Sequence, residues 1–193
     1  IFITHKLREV IEASTRVTVL RGGKVIGTVM TAQTTETELA KLMIGRSLTH
    51  SVGHRQEEIH VGIEKSPNAK ASAGLATVLE IKNVFALNNS GVQALKDLSL
   101  TVSKGEILGI AGVDGNGQSE MAEIVSGLRK IQSGQVLIDG RGITGMSPKQ
   151  IREWGLAYIP EDRLNTGLIL EYTIAENLIL DRWYSSPYSG KIF

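Results

Sequence analysis

Apolar residues recur along this chain at two spacings, and the places where one spacing gives way to the other delimit its elements. Runs rich in Val, Ile and Leu over 77–84, 94–102, 106–111, 134–139 and 156–159 have strand length and lie among Gly, Asn, Asp and Ser, which predicts five strands. Ile1, Phe2 and Ile3 read as the end of a buried strand, after which Leu7, Val10 and Ile11 fall at helical spacing over 6–12. Residues 16–21 and 24–29 form a hairpin, because the pair Gly22 and Gly23 accepts the positive φ angles of a tight two-residue turn. Thr35 with Glu38, and Thr173 with Glu176, have capping-box spacing, and Ser147 before Pro148 sets an N-cap ahead of a proline at the first helical position. Helices follow over 36–44, 119–125, 147–154 and 173–180, the first carrying a Leu39, Leu42, Met43 stripe and stopped by Gly45.

Between 47 and 76 both spacings dissolve into Ser, Gly, His, Glu, Lys, Pro and Ala, with only 59–63 resembling a strand. This stretch reads as a linker between a first piece, 1–46, and a second, 77–193, and the two pieces are expected to behave as separate units.

Charge narrows the partners. Lys and Arg number 21 against 20 Asp and Glu, a balance of +1 that gives no electrostatic reason to expect nucleic acid or an anionic membrane surface. Cys is absent, so disulfides and thiolate metal sites are excluded, which fits a reducing compartment. No apolar run approaches the roughly 20 residues needed to cross a bilayer, so direct membrane insertion is not expected. The chain opens on Ile1 and breaks off at Phe193, and it is expected to be an excerpt.

The densest chemistry follows the strand at 106–111. Gly112, Val113, Asp114, Gly115, Asn116, Gly117, Gln118, Ser119 and Glu120 match the phosphate-binding pattern of Gly, four residues, Gly, Lys, Ser or Thr in every element but one. The glycines let backbone wrap close to phosphate oxygens, and N–H groups of the loop and the helix start point at the anion. Ser119 stands where a hydroxyl would ligate Mg²⁺, and Gln118 stands in place of the lysine. A glutamine amide donates hydrogen bonds but carries no charge, so ATP binding is expected to survive while hydrolysis suffers.

Leu79, Glu80 and Ile81, then Ala94, Leu95, Leu98, Ser99 and Leu100, the run from Lys104 to Gly112 and the run from Ser133 to Gly140 together resemble the amino-terminal lobe of an ATP-binding-cassette domain. Tyr158 to Arg163, followed by Gly167, Leu168, Glu176, Asn177 and Leu178, is similar to the second cassette of bacterial importers for simple sugars and nucleosides, the ribose and galactose group, where two cassettes share one polypeptide. The 112–120 run looks closest to the nucleoside-importing branch. Ile3, Thr4, His5, Lys6 and Leu7, with the hairpin after them, resemble the end of a cassette. A switch histidine ahead of a phosphate loop suits a chain in which 1–46 close a first cassette and 77–193 open a second.

The resemblance implies an α/β fold: a P-loop NTPase lobe with an antiparallel β-subdomain, preceded by a hairpin and helix from another cassette. It implies ATP and Mg²⁺ as cofactors, transmembrane permease subunits as partners, an extracytoplasmic solute-binding protein as an indirect partner, and a place on the cytoplasmic face of a bacterial membrane. It assigns His5 as the switch histidine of the first cassette, catalytic there through its reach to the γ-phosphate. Glu161 falls at or beside the segment that senses Mg²⁺, where it would bind metal with Ser119; its other reading is a surface ion-pair cluster with Asp162 and Arg163. Asn88 and Asn89 occupy the positions where many cassettes stack adenine, and Phe85 reads as core packing. His50, His54 and His60 match no structural zinc spacing. A non-catalytic nucleotide- or anion-binding coupling module is the alternative; an unrelated small kinase is disfavoured by the 160–163 motif and the hairpin after His5. Neither piece contains a signature motif or catalytic carboxylate, so no ATP turnover is expected from this chain.

Overall fold

The computed structural model describes residues 1–45 and 75–189, in two compact units, Ile1–Leu156 and Ala157–Phe193. The first unit contains β1 (Phe2–Thr4), α1 (Leu7–Ala13), β2 (Arg16–Arg21), β3 (Lys24–Met30), α2 (Glu36–Ile44), β4 (Thr77–Leu87), β5 (Gln93–Ser103), β6 (Leu108–Ala111), α3 (Gln118–Val125), β7 (Ser133–Ile138), β8 (Arg141–Gly142) and α4 (Pro148–Glu153). The elements predicted from spacing and caps are present within a residue or a few at their ends, apart from the strand at 156–159.

Two sheets organise this unit. One is mixed, in the order β1, β6, β2, β3, with β6 parallel to both of its neighbours and β2 antiparallel to β3. The other is antiparallel, in the order β5, β4, β7, β8. All four β6 residues are buried, as expected of a strand covered on both faces. Leu108 and Ile110 enter a core with Leu20, Ile81, Leu95, Leu98, Met121 and Ile151. Ala111 joins Val10, Val17, Val19, Leu39 and Met43 in the other. On that side Gly109 admits α1: a Cβ there would lie 2.7 Å from Ser14 Oγ and 3.0 Å from Val10 Cγ1.

The mixed sheet runs across the boundary expected at 47–76, placing residues 1–45 and 77–156 in one unit where two separate ones were anticipated. The physical reason lies in β6, which is apolar on both faces and needs hydrogen-bonding neighbours on both edges. β4 and β5 pair in the other sheet, and β1 and β2 fill the two edges of β6. A buried ion pair fixes the register: Arg16 Nε donates to Glu106 Oε1 at 2.6 Å and Nη2 to Oε2 at 3.2 Å, with side-chain exposures of 7% and 2%. Arg16 Nη2 also donates to the Thr101 carbonyl at 2.6 Å, and Ser103 N–H to Glu106 Oε2 at 2.8 Å.

Two sequence expectations fail. Residues 156–160 form no strand, and Ile159 is 87% exposed. Phe85 is only half-buried on β4, while its neighbours Val84 and Ala86 take the core face. The strand-like 59–63 segment and His50, His54 and His60 lie outside the described residues.

The second unit is built from local devices. Asp162 caps a π-turn over 163–167, its Oδ1 accepting from Leu164 N–H at 3.1 Å and Asn165 N–H at 3.0 Å. α5 (Ile174–Leu178) opens on the Thr173–Glu176 capping box, and Asn177 Nδ2 donates to the carbonyls of Ile169, Tyr172 and Thr173. None of the residues of α5 is buried.

Candidate nucleotide site

The site begins where β6 stops. Gly112 carries the chain out of the sheet, and the loop turns back into α3 through Gly115 (φ 80°) and Gly117 (φ 104°), left-handed conformations that a Cβ disfavours. The bend is tight as well as left-handed: a Cβ on Gly112 would fall 2.3 Å from Gln118 Nε2 and 2.8 Å from the Leu20 carbonyl. Met121 N–H bonds the Gly117 carbonyl at 2.9 Å, so the N–H groups of residues 118–120 precede the first intrahelical bond, and Gly117 supplies no side-chain cap.

Gln118, the first residue of α3, is 8% exposed and folds over the loop, its Nε2 donating to the Val113 carbonyl at 3.1 Å. Its Oε1 is buried and has no hydrogen-bond partner among the described residues. Asn116 Nδ2 donates to the same Val113 carbonyl at 2.7 Å. Two uncharged amides thus brace the loop from inside, where a lysine would also have brought a positive charge. Ser119 is exposed on the first turn of α3, open to a ligand, and Glu120 is half-buried beside it. Val113 and Asp114 are exposed at the loop's outer rim, 48% for the whole Val113 residue and 82% for the Asp114 side chain.

His5 was assigned by motif order to a different nucleotide site. The mixed sheet nevertheless brings it to this loop: Nδ1 lies 3.6 Å from Asp114 Oδ1, and the His5 side chain is 58% exposed. Glu161 is exposed in the second unit, whereas Ser119 belongs to the first. The Asp162 carboxylate accepts from the Asn165 backbone and side chain, which hold its pKa below the ordinary carboxylate range. In the adenine-stacking neighbourhood, Asn88 Oδ1 accepts from the N–H groups of Ser90 and Val92, and Asn89 Oδ1 accepts from Arg129 Nη2 at 2.7 Å.

Sequence reasoning missed the partners of Asn116. Gly22 N–H donates to its Oδ1 at 2.6 Å and Gly23 N–H to its carbonyl at 3.2 Å. No local signal pairs residues 94 positions apart, and the Arg16–Glu106 bridge was equally invisible.

Residues 95–190 match the ABC transporter family. The chain is 43% identical over 175 residues to a guanosine import ATP-binding protein of Bacillus subtilis, covering 91% of this chain and 31% of that protein. It is 41% identical over 189 residues to a nucleoside import ATP-binding protein of Lactococcus lactis, covering 98% of this chain and 34% of that protein. A ribose import ATP-binding protein of Rubrobacter xylanophilus is 37% identical over 180 residues, covering 93% of this chain and 32% of that protein. The chain thus spans about a third of the length of these curated relatives. With a buried strand, a glycine loop and a helix start in succession inside the matched region, the chain belongs to the ABC transporter family.

Proposed function

We propose that this chain is part of the ATP-binding subunit of a bacterial importer for simple sugars or nucleosides, coupling nucleotide binding to solute uptake. The observation that carries the reading is the β6–loop–α3 turn, with Gly115 and Gly117 in left-handed conformations and the start of α3 without a side-chain cap. The names of the relatives from Bacillus subtilis and Lactococcus lactis favour a nucleoside. Residues 1–46 are read as the end of a first cassette, 47–76 as the connection, and 77–193 as the start of a second. Gly112 to Glu120 would hold the ATP phosphates, and Ser119 would ligate Mg²⁺. Mg²⁺ held there would supply positive charge against the phosphates. Membrane permease subunits are the partners, with a solute-binding protein beyond them, and the cytoplasmic face of the membrane is the location. No helix among the described residues is long and apolar enough to cross a membrane.

A second reading has a specific observation behind it. Gln118 and Asn116 both bond the Val113 carbonyl, so the loop is braced without any ligand and would serve as an anion cradle in a coupling module. Calorimetry with Mg-ATP on the 193-residue chain and its Gln118→Lys variant separates the two. Weak binding by the parent chain, tightened about tenfold by lysine as a charged donor replaces a neutral one, supports the nucleotide site. No binding by either protein leaves the structural cradle. Neither protein is expected to hydrolyse ATP.

A further inference from the structure

The loop between β6 and α3 receives no positive charge from its own side chains. From Gly112 to Glu120 the chain carries two carboxylates, Asp114 and Glu120, and neither Lys nor Arg. The Asp114 side chain is 82% exposed and faces His5 Nδ1 at 3.6 Å, while Glu120 is half-buried on the first turn of α3. No ion pair among the described residues holds Glu120. Gln118 is 8% exposed, and its amide packs against Gly112, where a Cβ would lie 2.3 Å from Nε2. Nε2 donates to the Val113 carbonyl at 3.1 Å, and Asn116 Nδ2 donates to the same oxygen at 2.7 Å. That contact fixes the sense of the Gln118 amide, since a rotated one would set a second acceptor against the carbonyl. The donor end is thus spent within the loop, and Oε1 stays buried with no hydrogen-bond partner among the described residues.

We propose that this loop takes a polyphosphate only as its divalent-metal complex and rejects the bare anion, and that Gln118 is the residue that sets this requirement. The inference rests on reading the loop as a nucleotide site and adds to it which form of the nucleotide is accepted. A polyphosphate is a multiply charged group that only accepts hydrogen bonds. Against it the start of α3 offers the equivalent of about half a positive charge, which two formal carboxylates outweigh. An orphaned amide oxygen adds a second mismatch, acceptor against acceptor. A divalent cation reverses both: it brings two positive charges, and water bound to it donates hydrogen bonds. The side-chain groups left for it are all oxygens, from the exposed Ser119 hydroxyl to the carboxylates, the class that a hard cation prefers. A lysine at position 118 would supply the charge itself, so a bare anion could bind without help. Metal and nucleotide are therefore coupled ligands of this loop, and the coupling shrinks once the protein carries its own cation.

The test titrates ATP into the 193-residue chain by calorimetry, once with excess Mg²⁺ and once with excess EDTA, at pH 8 to keep imidazolium out of the charge balance. Removing the metal is expected to weaken binding by the parent chain about a hundredfold or more, near the upper end of ordinary coupling between ligands. In Gln118→Lys the same change is expected to cost no more than about tenfold. Glu120→Gln removes one carboxylate and keeps the amide, and is expected to narrow the metal dependence about threefold; it decides the matter if the lysine variant does not unfold cooperatively. Parent-chain binding in EDTA within about tenfold of that in Mg²⁺ overturns the proposal and leaves the nucleotide reading standing. So does a metal dependence that is the same in the parent and in a folded Gln118→Lys, or, where that variant does not fold, the same in the parent and in Glu120→Gln. Absence of binding by the parent chain with Mg²⁺ present overturns the nucleotide reading and this proposal with it.

Discussion

Helices α2 and α5 begin alike. In each, a threonine side chain accepts from the N–H of the glutamate three residues on, and that glutamate's carboxylate accepts from the threonine N–H: Thr35 with Glu38, and Thr173 with Glu176. They then part. α2 buries Leu39 completely and Met43 to 7% exposure against β2, β3 and α1, whereas Ile174 and Leu178 of α5 stand 82% and 76% exposed. A capping box is chemistry within four residues and needs no partner, so it forms wherever its sequence occurs. Burial requires an opposing apolar surface, and only the first helix has one in its own unit. A helix written in the sequence is therefore not yet a helix that holds a fold together.

The largest break in that contrast should come from Arg16. Removing one member of a buried pair strands the other, and Arg16→Ala is expected to cost about 3–5 kcal/mol because Glu106 would remain buried with its charge uncompensated. Urea unfolding of the 193-residue chain measures it. A loss below about 1 kcal/mol would mean that β2 does not depend on this bridge. Next comes the matched pair of helices: Leu39→Ala should cost about 2–5 kcal/mol as a fully buried side chain, and Leu178→Ala no more than about 0.5 kcal/mol as an exposed one. Equal losses at the two positions would refute the difference in packing.

The sequence disclosed whatever is local. The two positive-φ glycines of the hairpin, the two threonine capping boxes, the Ser147 N-cap and the strand–glycine loop–helix order were legible because each occupies a few consecutive residues with its own chemistry, whereas the reach of Gln150 back to Ser147 was not read. Gln118 announced the missing charge, yet not that its amide would fold onto Val113. The pairing of β1 and β2 with β6 was not legible, and motif order argued against it by assigning His5 elsewhere. Strand neighbours are chosen by the edges left open after other pairings form, and that is a property of the whole unit. The strand expected at 156–159 rested on apolar composition, which does not specify a pairing partner.

The smallest expected effect concerns acid and the α5 cap. Glu176 Oε2 accepts from Thr173 N–H at 2.8 Å and from Thr173 Oγ1 at 2.7 Å, and these bonds, the backbone one first, hold its pKa below the ordinary value. A depressed carboxylate stabilises the folded form above its unfolded pKa, about 4.3 for glutamate, and the contribution fades as pH falls through the lower folded value. The Thr173 amide resonance should therefore be constant from pH 7 to about 5 and move only at lower pH, with a midpoint below that of an unstructured glutamate. Asp162 should follow the same course at the Asn165 amide, its carboxylate depressed by Asn165. Both groups are exposed, so salt and solvent keep the change local, and the expected readout is opening of the first turn of α5 and of the 163–167 turn. A Thr173 amide that titrates with the midpoint of a free glutamate would show that the capping box does not persist in solution, and the likeness of α5 to α2 would end at its sequence.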